Sequence, residues 1–207
     1  MLNARDCFFE VLKRDLYPLL RADGFKGSGG NFSRLVGDRM DCLNIQGASA
    51  GDRCAVNLGS HYSFLPAEGG IGLPPPDLKR LRPWDCAFRD RMRKQVGHDQ
   101  WWPYGNHPGA PEATAQDLID TYSQRASLFF SRFEPFPDVF LSVTPAGFET
   151  GETSIPWGST YVRAALTMAR VMKHLGQQER CREFVELGLS GATPHLAADF
   201  QALLETD

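Results

Sequence analysis

The chain has 207 residues, of which 42% are hydrophobic and 23% charged. That is the usage of an ordinary globular protein, long enough to bury a core without a metal or disulfide staple. Its net charge of -3 and pI near 6.0 argue against general nucleic-acid binding, which needs a basic excess to neutralise phosphates.

The N-terminal MLNARDCFFEVLKRDLYPLL scatters charges among its apolar residues, which a secretory signal does not. No run reaches the ~18–20 apolar residues that span a bilayer. The five cysteines, Cys7, Cys42, Cys54, Cys86 and Cys181, are odd in number and never form CxxC. They are read as reduced core residues of a cytoplasmic protein, neither a disulfide framework nor a zinc knuckle.

Taken in order, the first element is a helix. Phe8, Leu12, Leu16 and Leu19 recur at helical spacing with Phe9 and Leu20 beside them. Asn3 is placed to cap its start and Asp6 to meet the positive end of its dipole. Pro18 should loosen the last turn, and Gly24 should stop it.

A flexible lead-in with Gly27, Gly29 and Gly30 follows. NFSRLV and RMDCLNIQ flank Gly37-Asp38, a two-residue hairpin signal of the Gly-first type. After a loop from Gly47 to Asp52 comes RCAVNLGSHYSF. There Cys54, Val56 and Leu58 alternate with Arg53, Ala55 and Asn57, the pattern of a half-buried strand. Three antiparallel strands in a meander are the economical reading.

PAEGGIGLPPPD is a loop by its prolines and glycines. Leu78 to Val96 reads as helical, and HDQWWPYGNHPGAPEA as irregular. Asp117 to Phe133 is a helix with a wide apolar stripe, ended by Pro135 and Pro137. DVFLSV is a short buried strand candidate. The last third is helical: Tyr161 to Leu175 stopping at Gly176, Glu179 to Leu189, and a final helix opening on Thr193 and Pro194. Short connections make these neighbours antiparallel. The first two resemble one tetratricopeptide-like pair, but one pair is not an array.

The expected architecture is α+β: a small antiparallel meander sheet covered by helices, with a C-terminal antiparallel helical bundle. It is read as a single domain over 1–207, with a helix-plus-sheet part over 1–150 and a helical part over 151–207.

The N-terminal half carries a resemblance. Leu19-Leu20-Arg21-Ala22-Asp23-Gly24-Phe25-Lys26 is followed by Phe32 and Arg34, by Asn44-Ile45-Gln46, and by Val56-Asn57-Leu58-Gly59. Cys86 to Arg91 and Trp101-Trp102 fit the same order loosely. This run is similar to a bacterial domain-of-unknown-function family, which brings no established chemistry with it. Some small bacterial families of this kind are immunity or partner-binding proteins.

Among the candidate constellations, the basic stretch stands out. Lys79, Arg80, Arg82, Arg89, Arg91, Arg93 and Lys94 face only Asp85 and Asp90. On a helix Arg89 and Arg93 would be i,i+4 neighbours, able to grip a phosphate or carboxylate. Trp101, Trp102 and Tyr104 follow closely, and arginine beside exposed aromatics suits stacking or a partner's hot spot. The plainer alternative is a solvated helix face followed by a loop whose tryptophans fill the core, and it is preferred because Trp is usually largely buried.

His98, Asp99 and His107 are the best acid-base or metal candidates, but their spacing is not that of a helical metal pair. His61-Tyr62-Ser63 lacks a nucleophile elbow. Gly27 to Gly30 precedes a strand, whereas a phosphate loop lies between strand and helix. Glu149 and Glu152 sit in a polar connection ahead of Trp157. No catalytic residue, metal centre or cofactor is assigned.

Two functions of different class follow. One is a non-enzymatic protein-binding or immunity-type module using Arg89, Arg93, Trp101, Trp102 and Tyr104, with another protein as partner. It requires one of the three aromatics to be exposed. The other is an enzyme or sensor for a small phosphate- or carboxylate-bearing ligand, with Arg89 and Arg93 as clamps and His98 or His107 as acid-base groups. It requires those side chains to converge in a pocket.

Overall fold

The chain enters its first helix at Asn3, whose side-chain oxygen accepts the Asp6 amide at 2.8 Å. The computed structural model describes residues 3–67, 77–95, 97–105, 107, 109–153, 155 and 157–205. The PAEGGIGLPPPD loop therefore lies largely outside the described residues.

Helix α1 (Ala4–Val11) continues through a π turn at Leu12–Leu16 into α2 (Tyr17–Ala22). The wide turn stands just ahead of Pro18, which has no amide hydrogen to give the ladder. It also shifts the buried face. Phe8, Leu12, Leu16 and Leu20 are buried, while Leu19, expected on that face, is 40% exposed. Gly24, at φ +85°, ends the helix, and the Phe25 amide reaches back to the Leu20 carbonyl at 2.9 Å.

The glycine-rich lead-in is a strand and not a loose connection. Lys26–Ser28 forms β1, and a tight turn at Gly29 and Gly30 returns it as β2 (Asn31–Val36). The Gly37-Asp38 hairpin is present as expected. Val36 faces Arg39 across it, and Gly37 takes the required positive φ of +58°. Strands β3 (Arg39–Gly47) and β4 (Arg53–Tyr62) complete the meander.

Leu78 to Val96, expected as one helix, does not form one over its described residues, 78–95. Short 3-10 turns at Leu78–Arg80 and Pro83–Asp85 lead into an edge strand, β5 (Phe88–Arg91). Pro83 and the Asp85 carboxylate, which accepts the Arg82 amide at 2.9 Å, hold the second turn. A strand edge on β4 then captures Phe88 to Arg91. Tertiary pairing overrides local pattern here. Trp102–Pro103 (β6) pairs with β4 beside it, giving an all-antiparallel sheet of order β1-β2-β3-β4-β5 with β6 also on β4.

One face of the sheet, here the inner face, meets the helices. Leu43, Ile45, Val56 and Leu58 join Phe8, Leu12 and the next helix there. That helix is α3 (Ala110–Thr121), a second π turn at Tyr122–Ala126, and α4 (Ser127–Ser131). The outer face is not left to water, as a half-buried pattern implied. Residues 78–86 cross it, and Met40, Cys42, Leu81 and Cys86 form a second buried cluster. At Gly59 an added Cβ would lie 2.8 Å from the Cys86 sulfur and from the Pro83 Cα.

DVFLSV, expected as a buried strand, is not one. Asp138–Leu141 is a short helix, α5. A run of six apolar-rich residues fits a buried strand or a buried helix turn equally by periodicity, and the neighbouring prolines favour the turn. Helix α6 (Pro145–Glu149) is followed by α7 (Tyr161–His174), α8 (Gln178–Leu189) and α9 (Pro194–Glu205). Gly176 breaks α7 from α8 at φ +70°. Helix α9 lies so close to α8 that a Cβ on Gly188 would meet the Phe200 ring at 2.0 Å. One buried cluster runs from Phe8 through Leu58 and Phe130 to Phe184 and Phe200. Among the described residues, no helix is long and apolar enough to cross a membrane.

Candidate functional site

Strand alternation sorts the polar residues of the sheet into two rows. On the inner face Arg34, Asp41 and Ser60 lie directly opposite one another across β2, β3 and β4. Asp41 is fully buried. Its carboxylate accepts from Arg34 at 3.0 Å, from Arg39 at 2.9 and 3.1 Å, and from the Ser60 hydroxyl at 2.9 Å. The Arg34 guanidinium also lies over the Phe25 and Phe130 rings. Every oxygen of this carboxylate is used, so the cluster ties sheet to helix and has no group left for chemistry.

On the outer face Asn31, Asn44, Asn57 and Arg91 are in register across four strands. Asn44 donates to Asn31 at 2.8 Å, Asn57 donates to Asn44 at 3.2 Å and to Gln46 at 2.9 Å, and Arg91 reaches Asn57 at 3.4 Å. Arg91 is anchored at its far end by Asp99, at 2.9 and 3.0 Å.

The Trp101 indole donates to the same Asp99 at 3.0 Å. Its ring lies 4.9 Å from the Arg91 guanidinium and 5.1 Å from that of Arg53. Trp101 is half-buried and held between two cations, so the exposure that the docking reading required of Trp101, Trp102 or Tyr104 is not met by any of the three. Trp102 and Tyr104 point the other way and are core residues, 1% and 3% exposed. Trp102 donates to Asp117 at 3.1 Å, and Tyr104 packs on Phe8 and Phe9. The readings of these two as partner-binding surface are corrected by the pleat, which sends alternate side chains to opposite faces.

Arg89 and Arg93 are likewise not helical neighbours. Arg89 projects from β5 onto the outer face. Its guanidinium donates to the carbonyls of Gly158 at 2.7 Å and Trp84 at 2.6 Å. Arg93, past the strand end, pairs with Asp90. The two belong to different concavities. A cleft of about 320 Å³ is lined by Gln46, Asn57, Pro83, Trp84, Arg89 and Arg91, among others. A second, of about 380 Å³, holds Arg93 with residues of α4. His98 and His107 are exposed and line neither of these clefts.

The sequence reading passed over Trp84. It is 52% exposed, at the lip of the first cleft, on the 3-10 turn before β5. Its signal was the exposed turn chemistry of Arg82-Pro83-Trp84-Asp85, which a helical assignment concealed.

The buried titratable groups are silent. His61 accepts the Ala87 amide on Nδ1 at 3.0 Å, and its Nε2 faces the Leu65 carbonyl at 3.1 Å, so the neutral Nε2–H tautomer satisfies both. Burial pushes its pKa down to about 4. Burial pushes the Cys54 thiol up to about 12. The Cys86 thiol is raised by its hydrogen bond with Cys42 and by burial. All five cysteines are free thiols. Among the described residues, no group of three or more His, Cys, Asp or Glu side chains is gathered to hold a metal.

Neither a curated protein nor a solved structure matches the chain. A family model does, over residues 16–132, and its description is a domain of unknown function. That span starts inside the first helix, contains the whole sheet and ends just past α4. It covers more than half of the sequence, the part that builds the outer-face cleft apart from Gly158. The chain thus belongs to the DUF4304 family.

Proposed function

We propose that this chain is a non-enzymatic protein-binding module that docks its partner on the outer face of the sheet, around Trp84. The observation that carries the reading is the placement of Trp84: 52% exposed beside a cleft, with its own carbonyl fixed by Arg89 at 2.6 Å. Tryptophan and arginine dominate binding hot spots, where an aromatic anchor beside a pocket contributes most of the affinity. A turn already fixed by hydrogen bonds loses little entropy on docking.

The neighbouring surface supports the same reading. Gln46, Asn57 and Arg91 floor the cleft with groups already oriented by the ladder. Arg89 is bonded to neutral carbonyls, so its charge is left for a partner that presents a carboxylate near Trp84. An immunity protein is one member of this class, since it acts by covering a toxin's surface and needs no reactive group of its own.

The test is co-purification of the tagged chain from its own cells, wild type beside Trp84→Ala. A partner retained by the wild type and lost, or weakened at least ~10-fold, in the variant supports the reading. A partner retained equally by both removes Trp84 from the interface. No retained protein at all overturns the binding role.

A further inference from the structure

We infer that the second cleft, between the end of β5 and the helix through α4, is a site for a small amphipathic anion: an organic phosphate or carboxylate with an apolar body. This goes beyond the docking surface on the outer face and does not depend on it.

The charge is the first argument. Arg91, Arg93, Lys94, Arg125 and Arg132 line the cleft, against the single carboxylate of Asp90, and Arg91 is already held by Asp99. The Asp90 carboxylate is already paired with Arg93. Lys94 pairs outside the cleft lining with Asp117 at 2.5 Å. Arg125 donates to the Lys94 carbonyl at 3.0 Å, which places its head without neutralising it. No carboxylate among the described residues pairs with Arg125 or Arg132. Two guanidinium groups thus line one concavity with no carboxylate of the described residues on either, so both are available to an anion that enters it.

The shape is the second argument. Arg125, Leu128 and Arg132 follow one another at i+3 and i+4, so they form one stripe of the helix. Leu128 is 52% exposed between the two cations and lines the cleft. Met92, Phe129 and Ile155 lie behind it, all buried. The result is an apolar floor with a cationic rim. Arg125 stands in the π turn Tyr122–Ala126, a local distortion that often marks a functional position in a helix. A volume of about 380 Å³ suits a compact organic ligand. A bare phosphate would leave the floor unused, and a neutral hydrocarbon would leave the guanidinium groups unpaired.

The experiment is calorimetric titration of the full chain with 1-naphthyl phosphate and with decanoate, each beside controls that carry one feature alone: 1-naphthol and inorganic phosphate. The site predicts one-to-one binding of at least one amphipathic anion, at least ~10-fold tighter than either control. It further predicts a loss of at least ~10-fold in both Arg125→Gln and Arg132→Gln. Both side chains are exposed, and an unchanged urea midpoint confirms that each variant folds. Leu128→Ser should weaken whichever amphipathic anion binds while leaving inorganic phosphate unchanged. Equal binding of a control, indifference to the arginine variants, or no binding of either anion at millimolar concentration would overturn the inference.

Discussion

The Nε of Arg89 donates to the carbonyl of Gly158 at 2.7 Å, across 69 residues of sequence. That bond ties the segment after α6 to the edge strand and fixes the wall of the Trp84 cleft. Gly158 has φ +56°, and an added Cβ would meet the Arg89 Cγ and carbonyl oxygen at 2.3 Å. Backbone strain and steric overlap act together there. Gly158→Ala should cost about 2–4 kcal/mol in urea unfolding. It should also weaken partner binding by displacing Arg89.

Asp41 is the centre of the inner-face cluster, and its two arginines have no other carboxylate in it. Asp41→Ala should destabilise by about 3–5 kcal/mol, because it strands buried guanidinium charge. Arg34→Gln should cost less, since Arg34 is 19% exposed at its side chain and Arg39 still neutralises the acid. Urea midpoints with unchanged m-values check the order.

His61 gives the stability a pH dependence of known sign. Its folded pKa is lowered from 6.5 to about 4, so the unfolded chain takes up this proton first. Its contribution is fully present above 6.5 and is lost as pH falls toward 4. The loss is on the order of 3 kcal/mol. Unfolding free energies at pH 7 and pH 4.5 should differ by less in His61→Gln than in the wild type. An equal difference would show that another group sets the slope.

Adjacent tryptophans should behave oppositely. Trp102 is 1% exposed and hydrogen-bonded to Asp117, so Trp102→Ala should cost about 3–5 kcal/mol. Trp101 lies on the surface between Arg53 and Arg91, and Trp101→Ala should cost about 1 kcal/mol. Thermal unfolding of the two variants separates the cases.

The helices and the meander were legible because their signals are local. Asn3, Gly24, Gly37 and Gly176 are placed by backbone geometry that their own residue types favour. The failures share a cause. Residues 78–91 look helical by themselves, but β4 offers an unpaired edge that only the folded sheet reveals. Once Phe88 to Arg91 is read as a strand, Arg89 and Arg91 fall on the outer face, while Trp102 falls on the inner one through its own pairing with Cys54. The asparagine ladder was equally hidden, since Asn31, Asn44 and Asn57 meet only through strand register. Arg125 and Arg132 carry no signal in the linear sequence beyond their helical spacing, because the cleft they share with Arg93 is assembled by the fold.

The docking role of Trp84 is tested most directly by a photoreactive benzoylphenylalanine placed at position 84 and, as control, at Leu35, which is 60% exposed on β2. Irradiated in its own cells, the chain should form one discrete protein adduct from position 84, none from position 35, and much less from position 84 when Arg89→Ala is added. Absence of an adduct at 84, or the same adducts from both positions, would contradict a partner-binding face at this cleft.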